Sequence, residues 1–383
     1  MWDKSEIDRI MKLDVPTPFY CFDAERFHKK SLDIRRRLNG LGELGFSIKA
    51  NPWMAETASS SADFLEVCSM GELRLCLENH IPASMISVGG VSKTDAECGE
   101  LVTLRPRRIS VESVRQLEAL NQAAQDCRHS VRVLLRLTSG NQFGISMERI
   151  ERILRESSRY AHICLEGIHY YAGTQKKNVA DAEKLLATLI KAATEFPVRE
   201  IAFGAGIGVP LFAGQSEADY SLYAQRIFEG IQTLSGSCHV AFECGRLLTY
   251  DCGIYVTTVL DAKQHGERNF LITDGGIHQL SYHGQIGGRP LPHILTYPDR
   301  GAFPMRYTVC GSLCTVSDIL AKDVALPEVN VGDKLIFLNT GAYSVTESRS
   351  LFLSRELPSV ALLERSGAVR IRASIPTYSL NTF

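Results

Sequence analysis

Leu44-Gly45-Phe46-Ser47-Ile48-Lys49 is a short, apolar, strand-like run that ends on a lysine, and it is the first of eight such runs. The others are Ala62 to Val67, Ser84 to Val88, Arg107 to Val111, Val131 to Leu137, Cys164 to Tyr170, Glu200 to Phe203 and Val240 to Glu243. Each is too short for a core helix and is bounded by turn residues or charge. Amphipathic stretches lie between them, among them Val114 to Ala124, Met147 to Tyr160, Val179 to Glu195 and Glu217 to Ile231. Asn178 and Ser216 stand where helix caps are expected. Eight strand-then-helix units predict an α/β protein built on a (β/α)8 barrel.

After Arg246 the texture changes to strand-like runs separated by turns: Ile254 to Leu260, Asn269 to Thr273, Arg306 to Val309, Lys334 to Leu338, Val360 to Leu363 and Val369 to Ile371. Asp274-Gly275-Gly276, Gly287-Gly288-Arg289-Pro290 and Val331-Gly332-Asp333 supply the turn chemistry, and no long helical pattern competes. This half is expected to be a β-rich domain of sandwich or Greek-key type. Thr17 to Phe22 is expected to add a strand to it, before Asp23 caps the first helix. The expected division is a barrel over residues 24–247 and a β-domain made of residues 1–23 and 248–383.

Composition excludes several classes. The 383 residues are 45% hydrophobic and 22% charged, enough apolar material for a large core, and the formal net charge is −1. With Lys and Arg spread along the chain, neither a nucleic acid nor an anionic membrane is an expected partner. Met1-Trp2-Asp3-Lys4-Ser5-Glu6 is charged from the start, and no apolar run approaches the roughly 18 residues of a span, so neither signal peptide nor anchor is expected. Eleven cysteines, scattered and odd in number, point to a reducing, cytoplasmic setting. Cys310 and Cys314 have no second Cys or His pair at finger-like spacing, so no metal is expected.

In barrels of this kind, chemistry gathers at the carboxyl ends of the strands and in the loops that follow. Lys49 ends the first run, Glu243 ends the last in Phe242-Glu243-Cys244-Gly245-Arg246, and Arg136 and Tyr171 stand at or just beyond the ends of two others. Taken singly, each has a plain structural reading, as a solvated strand-end Lys or an ion-pair partner. Phe203-Gly204-Ala205-Gly206-Ile207-Gly208 follows the seventh run, where backbone amides free of side chains cradle phosphate in many barrels. An ordinary turn is the alternative. A dinucleotide fingerprint fits poorly, since no βαβ unit opens the chain and no acid is placed for a ribose.

Six blocks, in order, resemble the fold-type III pyridoxal-phosphate (PLP) decarboxylases, the family of diaminopimelate, ornithine and arginine decarboxylases. They are Phe46-Ser47-Ile48-Lys49-Ala50-Asn51, Gly167-Ile168-His169-Tyr170-Tyr171-Ala172-Gly173-Thr174-Gln175, Gly204-Ala205-Gly206, Glu243-Cys244-Gly245-Arg246, Gly311-Ser312-Leu313-Cys314 and Gly341-Ala342-Tyr343. The resemblance runs almost end to end and implies a PLP-dependent carboxy-lyase. It implies that Lys49 carries the cofactor and, once released, acts as an amine on the substrate. Glu243 would pair with the pyridine nitrogen and strengthen the ring as an electron sink. Gly204, Ala205 and Gly206 with Thr174, Arg246 and Tyr343 would hold the phosphate. Arg136 and Asp63 resemble further residues of the cofactor pocket. The match to Cys314 implies a homodimer in which this cysteine reaches the site of the second copy, against the alternative of a buried core cysteine.

Two positions depart from the better-known members. Tyr171 stands where a His usually stacks on the cofactor ring; an aromatic face survives, but not one that titrates near neutrality. His169, two residues earlier, either compensates or is a satisfied core histidine. Thr315 stands where the diaminopimelate and ornithine enzymes have an acid for the substrate's distal amine. Together with Gln142-Phe143-Gly144-Ile145 and Gly275-Gly276-Ile277-His278-Gln279, this is more similar to the branch serving siderophore and antibiotic biosynthesis. The substrates implied are amino acids already joined to citrate or to a carrier protein, with Thr315 and His278 as substrate-binding candidates and Arg289 and His283 in the same loop region. The alternatives are a diaminopimelate, lysine or ornithine decarboxylase, a non-catalytic PLP-binding protein, or a racemase, which Glu243 disfavours.

Overall fold

The structure is a computed structural model that describes residues 2–196, 198–301 and 304–383. Among the described residues, eight parallel strands close a barrel in chain order: β2 (Glu43–Ser47), β3 (Phe64–Val67), β4 (Ile86–Val88), β5 (Arg108–Val111), β6 (Val131–Leu137), β7 (Ile163–Tyr171), β8 (Glu200–Gly204) and β9 (His239–Cys244). Closure is made by β9 against β2, with Gly45 opposite Glu243 and Phe46 opposite Cys244. These are the eight expected strands. Their continuous apolar character follows from burial on both faces, with the interior filled by side chains and the helices outside. Phe64, Leu134, Ala202 and Ala241 pack together in the centre, and the fully buried Arg108 pairs with Glu200 beside the Phe64 ring.

The outer helices arise where the amphipathic period predicts them. α6 (Val114–Asp126) turns Leu117, Leu120 and Ala124 inward, and Ser113 caps it by accepting from the Gln116 amide. α8 (Val179–Glu195) begins directly after Asn178, which holds the N-cap position but makes no side-chain capping bond; α9 (Ala218–Ser235) begins after Glu217, one residue beyond Ser216, and Glu217 makes no side-chain capping bond either. α7 (Met147–Arg155) stops earlier than the pattern suggested, at Glu156, and gives way to a 3-10 turn at Ser157–Arg159.

The second unit carries a nine-stranded mixed sheet. β1 (Phe19–Asp23) lies between β10 (Gly253–His265), antiparallel, and β16 (Ser359–Leu363), parallel. β10 is long enough to serve two neighbourhoods: its first half pairs with β15 (Lys334–Phe337) and its second, past an irregularity at Val259/Asp261, with β11 (Arg268–Thr273). β13 (Met305–Cys310), β14 (Ile319–Leu326), β12 (Ile294–Tyr297) and β17 (Val369–Arg372) complete it. The first helix is α1 (Lys4–Met11), not the one after Asp23: Asp3 and Glu6 form a capping box, and Ile7 and Ile10 pack with Trp2, Phe19, Ile254 and Ile336. Asp23 does cap, but for α2 (Ala24–Leu38), accepting from the Glu25 and Arg26 amides at 2.8 and 3.0 Å.

The compact units are Met1–Phe27, Pro210–Ser216 and Leu248–Phe383 on one side and His28–Val209 and Glu217–Leu247 on the other. Pro210–Ser216, expected with the barrel, belongs to the β unit because its backbone bonds there: Ala213 N donates to Leu291 O, and Asn339 Nδ2 to Pro210 O.

Candidate active site

β2 ends at Ser47 and a 3-10 turn over Ile48–Ala50 carries Lys49 off the barrel's carboxyl end. Its Nζ lies 3.3 Å from both Glu66 carboxylate oxygens and 3.2 Å from Cys68 Sγ. Glu66 sits on β3 and is 5% exposed. Burial alone would raise its carboxyl; the Lys49 charge and hydrogen bonds from Ser47 and Cys68 outweigh that and hold it well below the usual range. Burial and the Glu66 charge push the Cys68 thiol up, so it stays protonated and donates to Glu66 Oε1 at 3.0 Å. Lys49 therefore rests in a cradle of one carboxylate and one thiol. Neither Glu66 nor Cys68 figured among the expected site residues, yet a lone carboxylate inside the apolar run Phe64-Leu65-Glu66-Val67 was a signal that it must meet a partner.

Glu243, on β9, is held from the side by His169 on β7. His169 Nε2 lies 3.1 Å from Glu243 Oε2, and its Nδ1 lies 2.8 Å from Ser110 Oγ on β5. Arg136, on β6, donates to Glu112 Oε1 at 2.6 Å and lies over the Phe143 ring, while the Gly144 amide donates to the other Glu112 oxygen. Lys93 adds an unforeseen buried amine, 4% exposed and bonded to Gly90 O; burial brings its pKa down to about 8.

The segments after β7 and β8 are laced together. Ala172 N donates to Gly204 O, Lys176 N to Gly206 O and Gly208 N to Lys176 O. Gly206 adopts φ +61°, and a Cβ there would lie 1.9 Å from Gly173 O. A Cβ on Gly204 would meet the Tyr171 ring at 2.9 Å. No side chain fits between these strands of backbone, which leaves amides as the available donors along Gly204-Ala205-Gly206. Tyr171 is 38% exposed; burial pushes its phenol up, opposed by the Lys49 charge, a hydrogen bond with Thr174 and the Arg246 charge. Lys49, Glu243, Arg136, Tyr171, Thr174, Gly204, Ala205, Gly206 and Arg246 thus all lie at the carboxyl ends of the barrel strands or just past them.

Asp63 does not. It precedes the first residue of β3, at the amino end, where Oδ1 takes a 2.8 Å bond from Arg35 and Oδ2 a 2.8 Å bond from the Leu44 amide. It is a structural ion-pair residue, which corrects its expected place in the cofactor pocket. Cys314, Thr315, His278 and Tyr343 belong to the β unit. Cys314 is exposed in a loop organised by the buried Asp318, whose carboxylate accepts from the Leu313 and Ile277 amides. Thr315 is half-buried, its Oγ1 3.0 Å from Ser317 Oγ. Tyr343 takes φ +65° in a turn closed by Glu347 N on its carbonyl. His278, expected as a substrate-binding residue, is 1% exposed, with Nδ1 lacking a hydrogen-bond partner. Arg289 in that region pairs with Asp323.

An amine beside a barrel mouth, a buried carboxylate fixed by a neighbouring imidazole and a turn that offers only amides suit an aromatic aldehyde bearing a ring nitrogen and a phosphate. This is the donor set of a PLP enzyme on a barrel. The chain belongs to the pyridoxal-dependent decarboxylases: the family described as "Pyridoxal-dependent decarboxylase, C-terminal sheet domain" matches residues 19–341. It is a decarboxylase whose cofactor is pyridoxal 5′-phosphate, which when bound supplies the electron sink for the bond pair that carbon dioxide leaves behind. The L-glutamyl-[BtrI acyl-carrier protein] decarboxylase of Niallia circulans is 27% identical over 96% of this chain and 93% of its own. The 2-[(L-alanin-3-ylcarbamoyl)methyl]-2-hydroxybutanedioate decarboxylase of Staphylococcus aureus is 27% identical over 94% and 97%. Among solved structures, the diaminopimelate decarboxylase of Helicobacter pylori complexed with L-lysine shares the fold, with a TM-score of 0.82, 22% identity and 98% of each chain covered. Among the described residues, no helix is long and apolar enough to cross a membrane, and no group of three or more His, Cys, Asp or Glu is placed to hold a metal.

Proposed function

We propose that this protein decarboxylates an amino acid already joined to another group, a citryl or carrier-linked intermediate of siderophore or antibiotic biosynthesis. The observation that carries this reading is Thr315: directly after the cysteine, it presents a hydroxyl bonded to Ser317 where an acid would be needed to grip a distal ammonium. The two relatives at 27% identity, by their names a carrier-protein-linked glutamyl and a citrate-like carbamoyl substrate decarboxylase, support it.

In this reading Lys49 would hold the cofactor, with Glu66 and Cys68 beside its amine. Glu243 would partner the ring nitrogen, Tyr171 the ring, and the amides of Gly204 to Gly206 with Thr174 and Arg246 the phosphate. Arg136 is placed to fix Glu112 and the Phe143 loop around the pocket. The chain acts as a homodimer in which Cys314 serves the second copy. An exposed cysteine next to Val316, which is 96% exposed, in a unit that also exposes Leu351, Phe352 and Leu353, supports that assignment.

The test is carbon dioxide release by the PLP-loaded protein across free diamino acids, citryl-amino acids and carrier-linked amino acids. Turnover of the conjugates well above the free acids is expected; release only from free ornithine, lysine or diaminopimelate would return the chain to the simple decarboxylases.

A further inference from the structure

Beside Thr315 the β unit contains a cavity of about 630 Å³, most of whose lining has been given no role so far. Leu313, Thr315 and Ser317 of the cysteine loop form one side, and the turn from Arg349 to Phe352 forms the other. Its charge has one sign. Arg349 is the sole ionisable side chain of the lining, and among the described residues its guanidinium has no carboxylate partner. Other exposed arginines of the same unit do have one: Arg306 with Asp323, Arg365 with Glu25 and Arg370 with Glu364.

The rest of the lining fits a particular kind of guest. Of the two hydroxyls of Thr315 and Ser317, 3.0 Å apart, one donates to the other and the second keeps its proton for a ligand. Leu313, Leu351 and Phe352 give apolar walls, the last two half open to solvent. A cation and a hydroxyl donor at one place, with hydrocarbon beside them, match an anion flanked by hydrocarbon. A distal ammonium would meet a like charge and find no acid among the lining side chains; the nearby Asp318 carboxylate is buried and taken up by the Ile277 and Leu313 amides.

We propose that this cavity is the specificity subsite of the chain and takes the negatively charged distal group of the substrate, a carboxylate or phosphate flanked by hydrocarbon, with Arg349 as its charge partner. This rests on the reading of the chain as a decarboxylase of conjugated amino acids and names the charge of the conjugate. The chemistry has two sources, the carboxylates of a citrate-derived group and the phosphate of a carrier arm.

Calorimetric titration of the PLP-loaded protein with citrate, 4′-phosphopantetheine and cadaverine separates them, because the cofactor then already fills its own phosphate cradle. One or both anions bind and cadaverine does not; tighter citrate marks the carboxylate source, tighter 4′-phosphopantetheine the carrier arm. Arg349→Gln weakens the anion by roughly tenfold or more, the loss of one charge-assisted contact, while Arg349→Lys loses less. Anion binding unchanged in Arg349→Gln, or cadaverine binding in preference to both anions, overturns the proposal. Failure of the underlying reading looks different: carbon dioxide release from free diamino acids alone, with Arg349-dependent citrate binding intact, removes the conjugate reading and leaves an anion site.

Discussion

His169 and Glu243 are bound to each other across the barrel interior, Nε2 to Oε2 at 3.1 Å, and the second imidazole nitrogen is fixed by Ser110 Oγ at 2.8 Å. Three strands, β5, β7 and β9, therefore set the position of one carboxylate. His169→Phe keeps a ring in the space but leaves a carboxylate oxygen, 7% exposed, without its partner. Such a loss costs about 1–3 kcal/mol. The expected outcome is lower thermal stability, a rate lower by roughly tenfold or more, and a pH-dependent change in the visible spectrum of the bound cofactor, partly restored by His169→Asn. A merely structural histidine would lower stability and leave the spectrum alone. Ser110→Ala should show the same spectral trend, more weakly.

Gly206→Ala places a methyl 1.9 Å from Gly173 O at φ +61°, so the lacing of the two turns must open. Cofactor affinity should fall by at least about tenfold, measured by equilibrium dialysis; the left-handed backbone alone would cost only about 1–2 kcal/mol. Gly140→Ala separates the two effects, since Gly140 has φ +91° and nothing within 4 Å of a Cβ. It should lose stability and keep cofactor affinity. Equal loss of affinity in both would remove the cradle from Gly206.

The barrel was legible because strands buried on both faces read as apolar runs, and the site because Lys49, Arg136 and Glu243 stand at or near the carboxyl ends of theirs. Other elements were hidden for identifiable reasons. β14, Ile-Leu-Ala-Lys-Asp-Val-Ala-Leu over Ile319–Leu326, contains Asp323 at φ +57°, and that irregularity masks the alternation. β12 is four residues long and ends directly before Pro298. α1 was readable from Asp3 and Glu6 as a capping box but is only 8 residues long. In the site, residue type and order revealed Lys49 and Glu243, whereas the Glu66 and Cys68 cradle depends on two neighbouring strands presenting side chains inward. Asp63 was misplaced for the converse reason: three residues from Glu66, it stands at the opposite end of the same strand.

Asp63→Ala tests that placement. It removes the acceptor of the Leu44 amide and the partner of Arg35, a half-exposed pair of which the ionic part is worth at most about 1 kcal/mol. Total destabilisation of about 1–2 kcal/mol is expected, a melting shift of a few degrees for a domain of this size. Cofactor affinity and spectrum should not change. Glu66→Gln should differ: besides some loss of stability, since a buried carboxylate held below its usual range contributes to the fold, it should alter the pH profile of cofactor attachment, because Lys49 loses the charge beside its amine. A weakened cofactor in Asp63→Ala would return Asp63 to the pocket.

His278 gives the β unit a pH dependence of stability with a definite sign. Burial, with the Arg355 charge adding to it, lowers the imidazole from 6.5 to about 4. Between those values the unfolded chain binds a proton that the folded one refuses, so stability falls as pH drops from about 6.5 towards 4 and is fully retained above that range. At 1.36 kcal/mol for each unit, the loss is bounded at about 3 kcal/mol. His278→Gln has no proton to gain. Urea unfolding at pH 7, 5.5 and 4.5 should therefore show the wild-type advantage over this variant shrinking as the pH falls. A difference between the two proteins that stays constant across the three values would mean that the ring does not titrate in this window.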